Sequence, residues 1–432
     1  MNKNEVTNES ISGFTRNAVI GIISSGAVVV FLTFLVRYVF YEPVLQSLAL
    51  NNEQLGVLYG LYGTTAMISY LPGGILADKI RIKYLATAGF GLSAILTFWY
   101  ATLPSYETLK VIFLLMGICT TFIYWGVRYK GIRLVSTDNT YSRNIGISYG
   151  IVGVLGLVVN FISMWIFNCF SDPASGFNMV LMFYAGLNIA FAIASFLLIP
   201  KFKDEIIKKK KTFDLSELVA AVKHPGVWLT TLCMFFTYTV YTSLSYTVPY
   251  VQAVFGASVT MAALMGNIRM YGTSLFSSPV IGALATKIKS PAKTIVLCMA
   301  ITAVCLFVIV LAPQTAGFMI PAIILIMLLS FFMSGAYGVE SSLFTETKVP
   351  AAIFGSASGI LSLIGFLPDM FVSPIAGKWL DTYGNQAYTY IFIALGISAI
   401  LSMGCALLVL LYNKKIRASL QTDVEDVEEI QA

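Results

Sequence analysis

The sequence predicts an all-α membrane protein: twelve transmembrane helices in two pseudo-symmetric six-helix bundles, with both termini cytoplasmic. Three observations carry that prediction. Of the 432 residues, 57% are hydrophobic and only 11% charged, where a soluble domain is about 25% charged; the mean hydropathy is +0.81. Apolar runs recur at or above the ~20 residues that a bilayer-spanning helix needs. Lys and Arg collect in alternate connections, which places those connections in the cytoplasm.

Taken in order, the polar opening "MNKNEVTNESISGFTRN" shows no cleavable signal pattern, and helix 1, near 18–48, is too long for a signal's hydrophobic stretch. Helix 2, near 55–77, leads into Lys79, Arg81 and Lys83; helices 3 and 4, near 84–103 and 108–129, lead into Lys130, Arg133 and Arg143. Helices 5 and 6 fall near 145–169 and 175–199, with Gly146, Gly150, Gly153 and Gly156 giving helix 5 a small-residue face for close packing. The linker "KFKDEIIKKKKTFDLSELVAAVKHP" then divides the helices six and six. Its run Lys208 to Lys211 reads as a cytoplasmic loop against anionic headgroups rather than a nucleic-acid patch, and "FDLSELVAAVK" as a short amphipathic surface helix. Helices 7 to 12 fall near 226–252, 259–285, 293–312, 317–342, 353–376 and 387–412. Lys287, Lys289 and Lys293 follow helix 8, Lys348 follows helix 10, and Lys414, Lys415 and Arg417 follow helix 12; on the opposite side only Lys110 and Lys378 break the pattern. The expected units are 1–200, the linker 201–224, 225–413, and a tail 414–432 whose acidic end reads as irregular, solvent-facing chain.

The two halves repeat. Gly74, Leu76, Ala77 and Lys79 after helix 2 recur as Gly282, Leu284, Ala285 and Lys287 after helix 8, an offset of 208 residues from Gly74 to Gly282. Parallel repeats of this kind build paired bundles around a midplane site. Gly74, Leu76, Ala77, Asp78, Lys79 and Lys83 also fit the signature G-x-L-A-D-R/K-x-G-R-R/K of the major facilitator superfamily, with Arg81 and Ile82 departing from it. The chain therefore resembles that superfamily. The stretches "IYWGVRYKGIRL", "YSRNIGISYG", "SYTVPYV", "IRMYG" and "IGFLPDMFVSPIAG" resemble a bacterial subgroup related to sugar-phosphate and organophosphate permeases. The resemblance implies that helices 1, 4, 7 and 10 line a central cavity. It also implies that the loop after helix 2 helps hold an outward-open state, with Asp78 bonded to neighbouring helices and Gly74, Lys79, Lys83, Gly282 and Lys287 in the same gate. In the organophosphate antiporters arginines of helices 1 and 7 face each other across the cavity. Arg37 matches the first, and helix 7 here has none.

Charges lie inside apolar runs at Arg37 and Glu42 in helix 1, Arg269 in helix 8, Glu340 in helix 10 and Asp369 in helix 11, with Arg128 near the inner end of helix 4, where it suits a topology or gate role. Each ion at mid-membrane costs at least about 2.5–3.5 kcal/mol on insertion scales, so such groups face a cavity or a partner. Arg37, about half way along helix 1, reads as a ligand for an anionic substrate or as the partner of Glu340; Arg269 is a second anion ligand. The guanidinium fork suits carboxylate, phosphate or sulfonate. Tyr38, Tyr238, Tyr241 and Trp125 add aromatic surface suited to a polar organic molecule. Glu340, Glu42 and Asp369 are candidates for proton coupling or ion pairing, Asp369 also for a hydrogen bond at a Pro kink. The six cysteines show no paired spacing and the single histidine, His224, sits in the linker. With no phosphate-cradling loop, metal motif or catalytic histidine, the chain reads as neither an enzyme nor a cofactor or metal protein. The expectation is a monomeric secondary active transporter in the cell membrane. It would move a small organic anion, a carboxylate or a phosphorylated or sulfonated sugar-like compound, by alternating access, through proton symport or anion exchange. The alternatives are a proton-coupled symporter of a neutral sugar or nucleoside, with Arg37 and Glu340 as the coupling pair; a drug or metabolite efflux antiporter; and a membrane sensor.

Overall fold

The computed structural model describes residues 5–7, 10–203, 205–206 and 215–431. Ten of its helical stretches are long and apolar enough to cross a membrane. They are Gly13–Tyr38 (helix 1), Ile82–Ala101 (helix 3), Tyr106–Leu134 (helix 4), Arg143–Asn168 (helix 5), Pro173–Leu198 (helix 6), Pro225–Phe255 (helix 7), Pro291–Leu311 (helix 9), Ala316–Glu346 (helix 10), Phe354–Tyr383 (helix 11) and Gln386–Lys414 (helix 12). Two more are long but more polar. These are helix 2, Asn52–Lys79, and helix 8, which runs as Val259–Asn267, Ile268–Gly272 and Thr273–Ile288. The set is consistent with the twelve-helix plan, and polarity in helices 2 and 8 is what a helix packed inside a bundle tolerates.

Several ends differ from the sequence reading. Helix 1 begins at Gly13, because the Ser12 hydroxyl accepts the Thr15 N–H and caps it early; past Tyr38 it resumes as Tyr41–Leu48. Helix 11 reaches Tyr383, and the helical backbone of the last span continues to Gln431, where irregular chain was expected. Leu215–Lys223 of the linker is helical, whereas the Lys208–Lys211 run lies outside the described residues. His224 caps helix 7 by accepting the Gly226 N–H. The six cysteines are all free; four are buried, but Cys169 is exposed and Cys405 half-buried.

The two halves break their first helices at the same place. Helix 1 tightens to a 3-10 turn at Val36–Tyr38, and helix 7 at Leu244–Tyr246, again 208 residues on. In helix 7 the cause is Pro249, whose ring clashes with the carbonyl four residues back, that of Ser245, and whose nitrogen has no proton to give it. Such turns expose backbone polarity that a continuous helix would hide.

One end of the molecule is sealed. Helix 2 lies so close to helix 11 that a Cβ on Gly56 would sit 2.3 Å from the Ser373 carbonyl oxygen, one on Gly60 2.7 Å from that of Met370, and one on Gly63 2.5 Å from the Asp369 carbonyl carbon. At the rim Asp381 accepts the N–H groups of Asn52 (3.1 Å) and Glu53 (2.7 Å) and the Asn52 side-chain amide (2.8 Å), capping helix 2 from the other half. Helices 5 and 8 seal the second flank. Gly156 abuts Tyr271, the Asn267 amide donates to the Leu157 carbonyl (3.2 Å), and Thr260 donates to Asn168 (3.1 Å). At the basic-loop end Gly74, Gly146, Gly150, Gly282 and Gly355 face open space. The helix 5 glycines thus serve close packing at Gly153 and Gly156 and not at Gly146 and Gly150.

The open end carries its own clamp. Strand β1, Glu5–Val6, pairs in parallel with β2, Lys201–Phe202. Arg81, the residue that replaces the signature glycine, bonds to Glu5, donates to the Phe202 carbonyl (3.1 Å) and lies 3.8 Å from Glu205. Glu205 accepts the Ile82 N–H, and Lys130 donates to the Ala77 and Ile80 carbonyls. Burial pushes the Glu205 carboxyl above its ordinary value, against the pull of the Ile82 N–H and of Lys130.

The seal between helices 2 and 11 depends on missing side chains. Gly60→Leu is expected to prop it open, because overpacking of about 1–3 kcal/mol shifts the open population roughly five- to a hundred-fold. The measurement is labelling of a cysteine placed at Ser373 by a membrane-impermeant reagent from the sealed side, and an unchanged rate would show that these helices do not gate.

Candidate functional site

Arg37 lies in the 3-10 turn of helix 1 and is only 2% exposed. Its guanidinium carbon sits 3.4 Å from the ring centre of Tyr59, 5.4 Å from Tyr38 and 5.8 Å from Tyr246. Tyr38 and Tyr246 hold the same position in the two halves, 208 residues apart, so the repeat itself supplies a matched pair of rings around one cation. Nη2 donates to the Ser373 hydroxyl of helix 11 at 2.9 Å. Nε and Nη1 are buried with no hydrogen-bond partner among the described residues. The ion pairs among those residues involve Arg81 and Lys110, not Arg37. The alternative pairing with Glu340 is therefore not made among the described residues, and Arg37 sits about two thirds of the way from Gly13 to Leu48 rather than half way.

Arg269 occupies a π-helical turn, Ile268–Gly272, and is 4% exposed; such turns widen a helix and recur at functional sites. Its Nε and Nη2 also lack hydrogen-bond partners among the described residues, and the polar groups that face it are Tyr38 and Tyr241. Tyr38 thus faces both arginines. Its hydroxyl lies 3.3 Å from the carbonyl oxygen and the hydroxyl of Thr242. Thr242 donates to Asp369 (2.9 Å), as does the Tyr238 hydroxyl (2.7 Å). Asp369 lies in the first turn of the segment Pro368–Tyr383, where the helix N-terminus favours a negative charge. One turn on, Ser373 takes the Arg37 bond through its hydroxyl and the Tyr246 hydroxyl (3.2 Å) through its carbonyl.

Towards the open end a chain of rings crosses from one half to the other. Trp125 meets Tyr70 at 5.4 Å, Tyr70 meets Phe366 at 5.2 Å, and Phe366 meets Tyr238 at 4.7 Å. Tyr238 then meets Tyr241 at 6.1 Å, which stacks on Tyr337 at 4.5 Å. Trp125 is 37% exposed at one end of this chain. Further out Arg128 donates to Ser148 (2.9 Å) and lies over the rings of Tyr149 (4.3 Å) and Tyr129 (5.6 Å).

Arg37, Arg269, Tyr38, Tyr238, Tyr241, Asp369 and Trp125 are thus brought to one region. Glu340, Glu42 and the gate residues are not. Glu340 is buried in a 3-10 turn of helix 10 facing Cys233 and Thr237 of helix 7, with Ser402 of helix 12 bonded to Thr237 at 2.8 Å. Neither carboxyl oxygen makes a hydrogen bond of good geometry among the described residues. Glu42 accepts from Gln46 (3.2 Å) and lines a cavity of about 410 Å³ on the outer side of the seal. Among the gate residues, Gly74, Asp78, Lys79 and Lys287 are exposed and Gly282 half-buried. Asp78 makes no hydrogen bond or ion pair among the described residues, and Lys83 lies 5.0 Å over the ring of Phe196 in helix 6. Two further tyrosines of helices 1 and 4 point elsewhere, Tyr41 donating to Asn52 and Tyr124 to the Ile23 carbonyl.

Sequence reasoning missed Tyr59, Tyr70, Tyr337, Phe366 and Ser373. A signal existed for the first: "LYGLYG" in helix 2 sets Tyr59 and Tyr62 three residues apart, one helical face. Nothing marked Ser373.

Asp369 holds two buried hydroxyls, and deleting the acceptor strands both at about 1–3 kcal/mol each. Asp369→Ala should lower the melting temperature of the purified protein clearly, and Asp369→Asn, which keeps one acceptor, by less than half as much. Equal losses would show that charge rather than hydrogen bonding holds helix 7 to helix 11.

The comparisons agree with this architecture. The sequence model of the Major Facilitator Superfamily matches residues 22–371 and 230–428. The inner membrane protein YqcE of Escherichia coli (strain K12) is 28% identical over 413 residues, covering 93% of this chain and 96% of its own. A bacterial homologue of the human lysosomal transporter Spinster, solved inward-facing and unoccupied, superposes with a TM-score of 0.70 at 17% identity over 94% of this chain and 98% of its own. The nucleoside transporter NupG does so at 0.68 and 15% identity over 93% and 99%. The chain belongs to the major facilitator superfamily and is a multi-pass membrane transporter.

Proposed function

We propose that this transporter moves a small organic anion by alternating access, and that Arg37 and Arg269 bind its charged group. The observation that carries the reading is the pair of buried guanidiniums, each with two N–H-bearing nitrogens lacking a hydrogen-bond partner among the described residues and both within electrostatic reach of Tyr38. A guanidinium keeps its charge, and the surrounding rings offset only about 2 kcal/mol of its burial. A carboxylate, phosphate or sulfonate would satisfy the open fork bidentately. The chain of rings from Trp125 to Tyr337 suits the sugar-like or cyclic body of such a compound. With the seal closed and the basic-loop end open, the arrangement is an inward-facing one under the charge rule. Glu340, away from both arginines, is the proton carrier in this reading.

Thermal stabilisation of the purified chain against organic anions and their neutral analogues tests the anion. An anion is expected to stabilise the wild type, and Arg37→Lys and Arg269→Lys should weaken that response at least about tenfold, the loss of one charged hydrogen bond, while remaining folded. Stabilisation by neutral compounds alone would transfer the reading to a sugar or nucleoside symporter.

Proton coupling has a separate readout. In proteoliposomes Glu340→Gln is expected to keep counterflow exchange and to lose accumulation driven by a pH gradient. Retained accumulation would remove Glu340 from the coupling step.

A further inference from the structure

We propose that the groove between the basic ends of helices 1 and 5 is a binding site for a phosphate-bearing amphiphile, its anionic head held over an apolar floor. A cavity of about 220 Å³ opens there, lined by Arg16, Asn17 and Ile20 of helix 1 and by Thr140, Arg143, Asn144, Ile147 and Ile151 of helix 5. None of these residues takes part in the arginine and tyrosine site, and the inference does not rest on the substrate reading.

The order of the lining residues carries the argument. On helix 5 the positions run Thr140, Arg143 and Asn144, then Ile147 and Ile151, at steps of three and four that keep them on one face. Helix 1 repeats the order with Arg16 and Asn17 and then Ile20. Both helices start here, at Gly13 and Asp138, so both faces pass from charged to apolar in the same direction, from the helix ends inwards. Two guanidiniums and the positive ends of two helix dipoles meet at the mouth. Asn144 is buried and fixed by its amide donating to the Ser136 hydroxyl at 2.8 Å. Ile147 is 43% exposed and forms an apolar lip. A soluble anion would use the mouth and leave the exposed Ile147 uncovered. A phospholipid presents its phosphate at the headgroup level and its chain along the isoleucines, in the order the groove offers.

The test is native mass spectrometry of the full chain in neutral detergent with phosphatidylglycerol added, beside thermal stabilisation by inorganic phosphate. The wild type is expected to retain phosphatidylglycerol. Arg143→Gln should weaken retention about tenfold, the loss of one charged hydrogen bond, and Arg16→Gln with Arg143→Gln should weaken it further. Arg143 is exposed, so its single substitution tests the site even if the double variant is unstable. Arg37→Lys should bind the lipid as the wild type does, which separates this site from the substrate site. If inorganic phosphate stabilises the wild type through Arg143 while the lipid does not bind, the groove takes a soluble anion and the amphiphile is overturned. Retention unaffected by Arg143→Gln overturns the site altogether.

Discussion

The constraint on which the rest depends is that a guanidinium stays charged wherever it is put. Arg37 and Arg269 are buried, and neither has a carboxylate within ion-pair reach among the described residues. The protein answers with groups that are negative only in part: ring faces at Tyr59, Tyr38 and Tyr246, and one hydroxyl at Ser373. These soften the burial without cancelling it. A structural ion pair would have neutralised each cation and left nothing for a ligand to do. That incomplete solvation is the feature on which the proposed anion-binding role rests.

The same residues tie that site to the seal. Ser373, which receives the Arg37 bond, lends its carbonyl to the close approach of Gly56, and Asp369, which holds helix 7 through Tyr238 and Thr242, is the residue Gly63 presses against. Helix 11 therefore reads the state of helices 1, 2 and 7 on one face, within two turns. Separation of helices 2 and 11 must disturb the hydrogen bond of Arg37, and a change at Arg37 must be felt at the seal. Because the contact is backbone against glycine, it brings large dispersion contact with little side-chain entropy to lose, which suits a joint that forms and parts repeatedly.

Much of this was legible in the sequence and some was not, for physical reasons. The spans could be counted because lipid imposes a length and a composition on each. Arg37, Arg269 and Asp369 were visible as charges in apolar runs, since an ion there needs a reason. Their partners were not. Ser373 is one serine among many, and Phe366 one phenylalanine among thirty; only the crossing of helices selects them. Which of the two readings of Glu340 applies was not legible because helix membership does not fix which way a side chain points, and this one faces Cys233 and Thr237, not Arg37. The role of Arg81 was hidden because it depends on two short strands, Glu5–Val6 and Lys201–Phe202, that lie far apart in the chain.

The matched turns at Val36–Tyr38 and Leu244–Tyr246 carry one more consequence. Tyr38 and Tyr246 flank Arg37 from matched positions, beside the nearer Tyr59, yet the cation itself is unmatched: its counterpart 208 residues on is Ser245, buried and donating to the Thr242 carbonyl at 3.1 Å. A duplicated scaffold offered two equivalent seats and this chain filled one of them. In the proposed reading an anion held by Arg37 of the first half and Arg269 of the second would touch both bundles, through seats that the repeat does not make alike.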